Sequence, residues 1–212
     1  MKEVFLNARV NCLISQDPVP YQLAEEKMQA RVQAIFEGSE KELIWFLEHP
    51  PLYTAGTSAL SEDLLNPIFP VHQSGRGGQY TYHGPGQLIC YVMLNLQQRN
   101  LQDIKKYILN LQEWCQNALN EVGIETFLAP DRVGLWVHDE NKEKKLVAVG
   151  VRVSRWVTWH GFSINVNPDL SHFSGIIPCG LKEYGVTSLK QLGYNFKTEK
   201  IIKILIKTFP FD

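Results

Sequence analysis

The order of strand-like and helical segments predicts an α/β fold of the α+β kind, with a mixed sheet. β-rich segments precede and follow two stretches whose apolar residues recur at helical spacing, residues 20–37 and 104–122. With 212 residues and 44% hydrophobic content, the chain can bury one sizeable core. It contains no internal repeat, low-complexity tract or linker. Residues 1–212 are therefore expected to form a single domain.

The first part of the chain predicts two strands around one helix. Val4 to Ile14 alternates loosely and predicts a first strand. The helix at residues 20–37 is expected to stop at Gly38 and to bury Tyr21, Ala24, Met28, Val32 and Ile35. Glu42 to Glu48 predicts a second strand. It ends before Pro50 and Pro51, because proline cannot continue it.

The segment after this strand is predicted to be irregular. Residues 52–70 contain Pro67 and Pro70 and are expected to loop over a functional site. His49 lies beside two prolines. It is interpreted as a turn residue in preference to a ligand.

The second half predicts a long helix, a hairpin, a further strand and a last helix. The long helix is expected to end at Gly123 and to bury Ile104, Ile108, Leu111, Cys115, Ala118 and Val122. Arg132 to His138 and Lys145 to Ser154 predict two strands joined by the charged residues 139–143. Trp156 to Asn167 continues the strand signal. Thr198 is expected to cap the last helix, whose apolar face includes Ile201, Leu205 and Phe209.

Charge and hydropathy exclude several classes of function. The net charge is −1, so no global field favours nucleic acid or an anionic membrane. No stretch reaches the roughly eighteen apolar residues of a membrane span. The N-terminal residues resemble neither a signal peptide nor a transit peptide. A cytoplasmic protein is expected, with no nucleic-acid or membrane partner.

A glycine-rich stretch from Ser74 to Gln87 is the strongest local signal in the chain. It holds five glycines, with Arg76 and His83 as polar groups among them. Glycine at this density suits backbone that turns sharply or approaches a ligand closely. The stretch is therefore either a binding loop or an ordinary glycine-rich surface turn.

The four cysteines do not form a C-x-x-C pair, so neither a zinc site nor a redox dithiol is predicted. Cys12, Cys90 and Cys115 lie in apolar runs and are expected to be small buried hydrophobes. Cys179 lies between Pro178 and Gly180 and is a candidate nucleophile; the alternative is an inert core cysteine. The six histidines form no H-E-x-x-H set, and no phosphate-binding loop motif is present. No metal or cofactor is expected.

Three blocks of the sequence resemble one family. Arg76-Gly77-Gly78-x-x-Thr81-Tyr82-His83-x-x-Gly86-Gln87-x-x-x-Tyr91 resembles the signature of the octanoyltransferases of lipoate biosynthesis. Lys145 to Gly150, and Trp159-His160-Gly161 through Pro178-Cys179-Gly180, resemble the same family in the same order. The resemblance implies the fold of the biotin/lipoate protein ligase superfamily. Ser163 departs from the pattern, since a small apolar residue is common there.

The resemblance also implies the roles of the site residues. Cys179 would carry an acyl thioester, and Lys145 would lower the pKa of its thiol. Lys145 is preferred over Lys144 because its spacing to Gly150 fits and only one of two neighbours in a strand points inward. The alternative is a solvated lysine at a hairpin end. The acyl slot would be lined by Arg76, Gly77, Gly78, Gln79, Tyr80, Thr81, Tyr82, His83, Ala148, Val149, Gly150, Gly161, Phe162 and Ser163.

The implied reaction is transfer of an octanoyl group from octanoyl-acyl carrier protein to a lysine ε-amine on lipoyl domains. The acceptors would be the lipoyl domains of 2-oxoacid dehydrogenases and the glycine cleavage H protein, and a monomer is expected. His83 would orient the acyl group, and His160 is interpreted as structural. Three alternatives remain open: an ATP-dependent lipoate-protein ligase, an acyl-carrier-protein thioesterase, and a non-catalytic module that binds acylated carriers.

Overall fold

The computed structural model describes residues 2–139, 142–180 and 183–211, and their side chains except those of residues 2–5 and 179. Its α-helices are α1 (Tyr21–Glu37), α2 (Ile104–Asn120) and α3 (Thr198–Lys207). Its strands are β1 (Lys2–Phe5), β2 (Val10–Ile14), β3 (Glu42–Leu47), β4 (Leu52–Ala55), β5 (Val71–Gln73), β6 (Tyr80–His83), β7 (Gln87–Met93), β8 (Phe127–Ala129), β9 (Arg132–Asp139), β10 (Lys142–Ser154), β11 (Val157–Asn165) and β12 (Gly185–Val186). Short 3₁₀ turns cover Ser61–Asp63, Leu170–Gly175 and Pro178–Gly180.

Nine of these strands form the main sheet, and it is mixed. The strand order is β1-β2-β3-β7-β11-β10-β9-β8, with β12 beside β10. The β2–β3 and β10–β12 pairs are parallel, and the other pairs are antiparallel. The predicted α+β fold with a mixed sheet is confirmed. A second sheet of three strands, β5-β4-β6, lies apart from the main one.

The main sheet buries both of its faces. On one face, Trp114 of α2 and Leu205 of α3 belong to a cluster with Phe46, Cys90 and Phe162. On the other face, α1 packs over a cluster of Trp45, Ile89, Tyr91 and Trp159. Because β3, β7 and β11 are covered on both sides, their residues are buried throughout, as expected for central strands. Cys12 and Cys115 join Cys90 in the first cluster, so the expectation of three buried cysteines is confirmed.

Two predictions for the N-terminal part were wrong in detail. The single strand predicted from Val4 to Ile14 is a hairpin of β1 and β2. Asn7 breaks it, since its Oδ1 accepts hydrogen bonds from the main-chain N–H of Arg9 (3.0 Å) and Val10 (2.8 Å). The segment 52–70 is not wholly irregular, because its first four residues form β4, the centre of the second sheet.

The three helices are present as predicted, but the buried residues of α2 and the N-terminal residue of α3 differ from the prediction. Gly38, with φ 74°, ends α1, and Gly123, with φ 77°, follows α2. On α2, Ile104 is exposed, and Tyr107 and Trp114 are buried instead. The predicted residues Leu111, Cys115 and Ala118 are buried, so the buried face was predicted in part and is wider than expected. On α3, Thr198 is the first helical residue and not a cap.

The hairpin of β9 and β10 is present as predicted, with longer strands than expected. The predicted loop 139–143 is shorter, because β9 extends to Asp139 and β10 begins at Lys142. Residues 140 and 141 lie outside the described residues. The predicted strand from Trp156 to Asn167 is β11. None of the described helices is long and apolar enough to cross a membrane.

We expect Asp103→Ala to destabilise the protein by about 1 kcal/mol, because the Asp103 carboxylate caps α2 by accepting from Lys106 N–H at 3.0 Å. Thr198→Ala is the matched control. It should change the unfolding free energy by less than about 0.5 kcal/mol, since Thr198 makes no capping hydrogen bond and its hydroxyl makes only a long one, 3.5 Å, to Glu48 Oε1. Urea unfolding measures both, and equal losses would contradict the assignment of caps.

Candidate active site

A cavity of about 370 Å³ lies between the main sheet and the glycine-rich loop. Its floor includes residues of β7, β10 and β11, and its cover is the chain from Ser74 to His83. This volume lies within the usual range for small-ligand pockets. The glycine-rich stretch is therefore the cover of a cavity, not a surface turn.

The structure brings most of the predicted slot residues and Lys145 into the lining of this cavity. The predicted residues in the lining are Arg76, Gly77, Gly78, Gln79, Thr81, His83, Lys145, Ala148, Val149, Gly150, Gly161, Phe162 and Ser163. They come from the glycine-rich loop and from the consecutive strands β10 and β11, which are far from that loop in sequence. The pairing of β10 with β11 places Ala148 opposite Ser163 and Gly150 opposite Gly161.

Tyr80 and Tyr82 are placed elsewhere. Side chains alternate along β6, so Thr81 and His83 face the cavity while Tyr80 and Tyr82 face the core of the second sheet. The Tyr82 hydroxyl contacts His172 Nδ1 at 2.8 Å. Burial raises the pKa of Tyr82 to about 12. These two tyrosines anchor β6, the last part of the cover, to the core of the second sheet, and they do not line the cavity.

The Arg76 side chain holds the cover in shape. Its Nη2 donates to Thr54 O (2.9 Å), Thr54 Oγ1 (2.8 Å) and Gln79 O (2.8 Å), and its Nη1 donates to Gly77 O (3.0 Å). The guanidinium thus connects the Gly77 and Gln79 carbonyl oxygens of the loop to the Thr54 carbonyl oxygen of β4. Hydrogen bonds from a charged donor are the stronger kind. Arg76 therefore fixes the loop backbone over Gly150, where an added Cβ would lie 3.0 Å from Arg76 Cδ.

Lys145 points into the cavity from β10, and Lys144 does not. Lys145 is 7% exposed, and its Nζ lies 4.7 Å from the centre of the Trp136 ring. Trp136 is its cross-strand partner in β9. Gly134, with φ 120°, leaves space for the lysine stem, since an added Cβ would lie 3.3 Å from Lys145 Cε. Lys144 forms an ion pair with Asp139 at 2.9 Å. The choice of Lys145 as the inward lysine is confirmed.

Cys179 lies in the 3₁₀ turn Pro178–Gly180, and its side chain lies outside the described part of the structure. The turn itself adjoins the Lys145 end of the cavity. Pro178, Lys145, Thr81 and Ser163 line one small cleft. Gly180, with φ 67°, packs against Gln79, and an added Cβ would overlap the Gln79 amide. The fold therefore brings the Pro-Cys-Gly backbone next to Lys145.

A chain of hydrogen bonds fixes the protonation of His83. Asn165 Nδ2 donates to Thr187 O, so Asn165 Oδ1 accepts from Gln87 Nε2 at 2.8 Å. Gln87 Oε1 then accepts from His83 Nδ1 at 2.6 Å. His83 Nε2 is left without a proton, 3.4 Å from Thr54 Oγ1. Burial is the main cause that lowers the pKa of His83 to about 3, so the ring is neutral.

Two further buried histidines lie close to His83. His49 Nδ1 donates to Val19 O (2.5 Å), and its Nε2 accepts from the Tyr91 hydroxyl (2.7 Å). Burial lowers the pKa of His49 to about 4. His160 lines the cavity, with Nε2 3.4 Å from Ser74 Oγ. Burial, followed by the charge of Arg76, lowers the pKa of His160 to about 3. His49 is thus a buried partner of Tyr91, more than a turn residue.

Sequence reasoning missed several residues of the lining. Tyr21 and Tyr91 were assigned to a helix face and to the end of a motif. Thr54 and Ser74 lie within segments expected near a site, but neither was predicted individually to line the cavity. Tyr21 is the first residue of α1, and its ring packs against His49 and His72. Only the crossing of α1, β4 and β7 at one place brings these residues together. Among the residues that the structure describes, no group of three or more potential ligands could hold a metal ion.

Comparisons with known proteins identify the family of this chain. A family model for the lipoyl protein ligase A/B catalytic domain matches residues 20–210. An octanoyltransferase from Ehrlichia canis is 50% identical over 197 residues, covering 92% of each chain. One from Parvibaculum lavamentivorans is 52% identical over 201 residues, covering 92% of this chain and 89% of the relative. The chain belongs to the octanoyltransferase family.

Solved structures support the fold of this octanoyltransferase family member. A bi-partite lipoate protein ligase from Thermoplasma acidophilum superposes with a TM-score of 0.69 at 16% identity, over 97% of this chain and 83% of the ligase. Biotin protein ligase from Aquifex aeolicus, in complex with biotin and ATP, gives a TM-score of 0.58 at 17% identity, over 95% and 68%. The predicted fold of the biotin and lipoate protein ligases is confirmed.

The buried histidines predict a specific dependence of stability on pH. In the unfolded chain each imidazole binds a proton near pH 6.5, whereas in the folded chain His49, His83 and His160 stay neutral to about pH 4, 3 and 3. The unfolded state therefore binds more protons below pH 6.5. The unfolding free energy falls as pH falls from 6.5 toward 4, by about 1.4 kcal/mol per pH unit for each histidine.

His83→Asn tests this dependence, because its amide can still donate to Gln87 but takes up no proton. Between pH 6 and 4.5 the slope of unfolding free energy against pH should be smaller in His83→Asn than in wild type by about 1.4 kcal/mol per pH unit, which corresponds to one proton. The carboxylates contribute equally to both slopes, so the difference between the two proteins isolates His83. Urea unfolding at several pH values measures the slope. Identical slopes would show that His83 is protonated in the folded state.

Proposed function

We propose that this protein transfers an octanoyl group from octanoyl-acyl carrier protein to a lysine ε-amine on lipoyl domains, through a thioester at Cys179. Relatives of about 50% identity that are named octanoyltransferase support the transfer. The observation that carries the residue assignment is the position of Lys145. It is a buried ammonium at the open end of the cavity, beside the turn that holds Cys179.

The cavity suits an acyl chain. Ile89 supplies an apolar side chain on its floor, together with the small residues Ala148, Gly150 and Gly161. The Val149 and Phe162 side chains pack in the cluster on the opposite face of the sheet. An octanoyl chain has about six methylenes, each worth roughly 0.8 kcal/mol when buried. Binding in this slot would contribute several kcal/mol. The Arg76 hydrogen bonds keep the cover in place, so little ordering of the loop is needed when the chain enters.

In the first half-reaction the Cys179 thiolate attacks the carbonyl carbon of the octanoyl thioester. The new carbon–sulfur bond replaces the bond to the carrier's thiol, which leaves as a thiolate. Lys145 stabilises the Cys179 thiolate before attack and gives its proton to the leaving thiolate. A free thiol has a pKa of about 8.5, so a neighbouring cation is needed for a useful fraction of thiolate at neutral pH.

In the second half-reaction the acceptor lysine attacks the octanoyl thioester. Its ammonium form, with a pKa of about 10.4, must first lose one proton to solvent to give the neutral amine. Lys145 is neutral after the first half-reaction and takes the second proton, which the amine nitrogen loses after it attacks the thioester carbonyl. The carbon–sulfur bond then breaks, Cys179 leaves as thiolate, and the amide product departs. The ammonium–thiolate pair is regenerated, and each turnover releases one proton to water.

The three alternatives predict different behaviour. A ligase activates its acyl group as an adenylate and does not need a nucleophilic cysteine, so Pro178-Cys179-Gly180 favours the transferase. A thioesterase would pass the acyl group to water. A carrier-binding module would need neither Cys179 nor Lys145. The transferase uses both residues, and it also accounts for the position of the turn that holds Cys179 beside Lys145.

The acceptors in this proposal are the lipoyl domains of 2-oxoacid dehydrogenases and the glycine cleavage H protein. Residues 1–212 would act as one catalytic domain and as a monomer. The protein should therefore show the same specific activity at nanomolar and micromolar concentration.

Intact-mass spectrometry tests the proposal. Wild type mixed with octanoyl-acyl carrier protein, without ATP, should gain one octanoyl group that hydroxylamine removes; Cys179→Ser should gain none that is labile in this way. Adding a lipoyl domain should move the group to its lysine. Product that forms only with ATP would indicate a ligase, and release to water would indicate a thioesterase. No adduct under any condition would leave the binding module.

Lys145→Met should lower the rates of acylation and of transfer by at least about a hundredfold, the usual scale of proton-transfer catalysis. Lys144→Met is the matched control, since it removes the neighbouring ammonium that pairs with Asp139. It should keep at least about half of the wild-type rate. Single-turnover mass spectrometry measures both half-reactions. Equal losses in the two variants would contradict the assignment of Lys145.

A further inference from the structure

The two ends of the cavity differ in exposure. Asp131 and Val133 border the end that holds Lys145, and both are exposed. Tyr21, Ser74 and His160 line the other end, where Tyr21 and His160 are each only 3% exposed. The cavity therefore opens near Lys145 and closes at the Tyr21 end.

The register of the sheet gives the length between these ends. His160 pairs with Val151, six residues along β10 from Lys145. At about 3.3 Å per residue the two backbones lie roughly 20 Å apart. The lysine side chain and the imidazole occupy part of this length. An octanoyl chain extends at most about 10 Å at 1.5 Å per carbon–carbon bond. An acyl chain bound to Cys179, beside Lys145, therefore points its last carbon toward Tyr21 and His160.

The closed end of the cavity is polar, although it would face the methyl end of the acyl chain. His160 Nδ1 is buried and has no hydrogen-bond partner among the described residues. The Tyr21 hydroxyl lies close to Ser74 and also makes no well-formed hydrogen bond within the described part of the chain. Buried polar atoms of this kind are normally satisfied by ordered water or by a ligand group.

The backbone at His160 supports a role in the cavity. The backbone of His160 has φ 55° in the interior of β11. This is a left-handed conformation that residues other than glycine rarely adopt. Such conformations persist only where the surrounding structure fixes them, and they are frequent at ligand sites. Here Tyr91 packs edge-on against the imidazole, with 5.8 Å between the ring centres. The ring is thus held with its Nδ1 at the closed end.

We propose that Tyr21, Ser74 and His160 form a polar end wall that sets the length of the acyl chain. The wall accepts an eight-carbon chain that stops short of it and disfavours a longer chain with a methyl end. It accepts a longer chain whose end carries a hydroxyl group. The identity of the ligand as an acyl chain rests on the proposed function.

The physical basis is that a methyl group at the end wall cannot make the hydrogen bonds that water can make there. A methyl group that reaches the wall offers no hydrogen bond to His160 or Tyr21 and excludes the water that could supply one, which lowers affinity. In an apolar pocket, two added methylenes would instead raise affinity by about tenfold. A terminal hydroxyl can both donate and accept, so it can bind either tautomer of His160.

Isothermal titration calorimetry with free fatty acids tests the wall without turnover. Wild type should bind decanoate no more tightly than octanoate, and should bind 10-hydroxydecanoate several-fold more tightly than decanoate. Tyr21→Phe should raise the affinity for decanoate several-fold relative to octanoate and reduce the advantage of the hydroxylated acid. Ser74→Ala, which removes a second hydroxyl, should act in the same direction.

Tyr107→Phe is the matched control, because it removes a buried tyrosine hydroxyl on the opposite face of the sheet, where it contacts Thr158. It should keep the wild-type order of affinities. A tenfold preference of wild type for decanoate would overturn the inference. So would weaker binding of the hydroxylated acid than of decanoate, which would indicate a purely steric limit. An unchanged order in both Tyr21→Phe and Ser74→Ala would also overturn it.

The transfer assay separates this inference from the proposed function. If the acids show the expected order but no octanoyl group moves from the carrier to a lipoyl domain, the wall stands and the proposed function fails. If octanoyl transfer occurs but Tyr21→Phe leaves the order of affinities unchanged, the proposed function stands and the wall fails.

Discussion

Burial of the Lys145 ammonium is the constraint on which the site depends. The side chain is 7% exposed, and among the described residues no carboxylate lies within ion-pair distance of it. A buried charge is costly unless it is paired. The Trp136 ring supplies a cation–π contact, and Gly134 leaves room for the stem. The remaining partner must come from the cavity, and the turn that holds Cys179 adjoins it. A thiolate there would complete the pair.

The rest of the structure makes the Lys145 end of the cavity differ in charge from the Tyr21 end. Arg76 fixes the cover through carbonyl oxygens, so its charge is already occupied and does not compete with Lys145 for an anion. The buried histidines are neutral, because burial lowers their pKa values. Arg132 also lines the open end, but it is ion-paired with Asp131 and Glu143. The proposed acid–base chemistry is therefore assigned to Lys145, and the proposed end wall to Tyr21 and His160.

Strand and helix patterns in the sequence predicted the fold class. The Lys145 orientation and most of the cavity lining were instead expected from the resemblance to the octanoyltransferases. Alternation in a strand lets only one of Lys144 and Lys145 point inward, the spacing to Gly150 in the family's motif selects Lys145, and glycine density marks the cover. The sequence could not separate Thr81 and His83 from Tyr80 and Tyr82, since the face that β6 turns to the cavity is set by the second sheet. Nor could it place Tyr21 in the lining, which depends on how α1 crosses the sheet.

The most direct test of the central claim is the ionisation of the Cys179 thiol. Burial raises the pKa of Cys12 to about 12 and those of Cys90 and Cys115 well above their usual range, so iodoacetamide should alkylate Cys179 selectively. The alkylation rate of wild type against pH should have a midpoint at least about one unit below that of Lys145→Met. Lys144→Met should match wild type. The same midpoint in wild type and Lys145→Met would contradict the account.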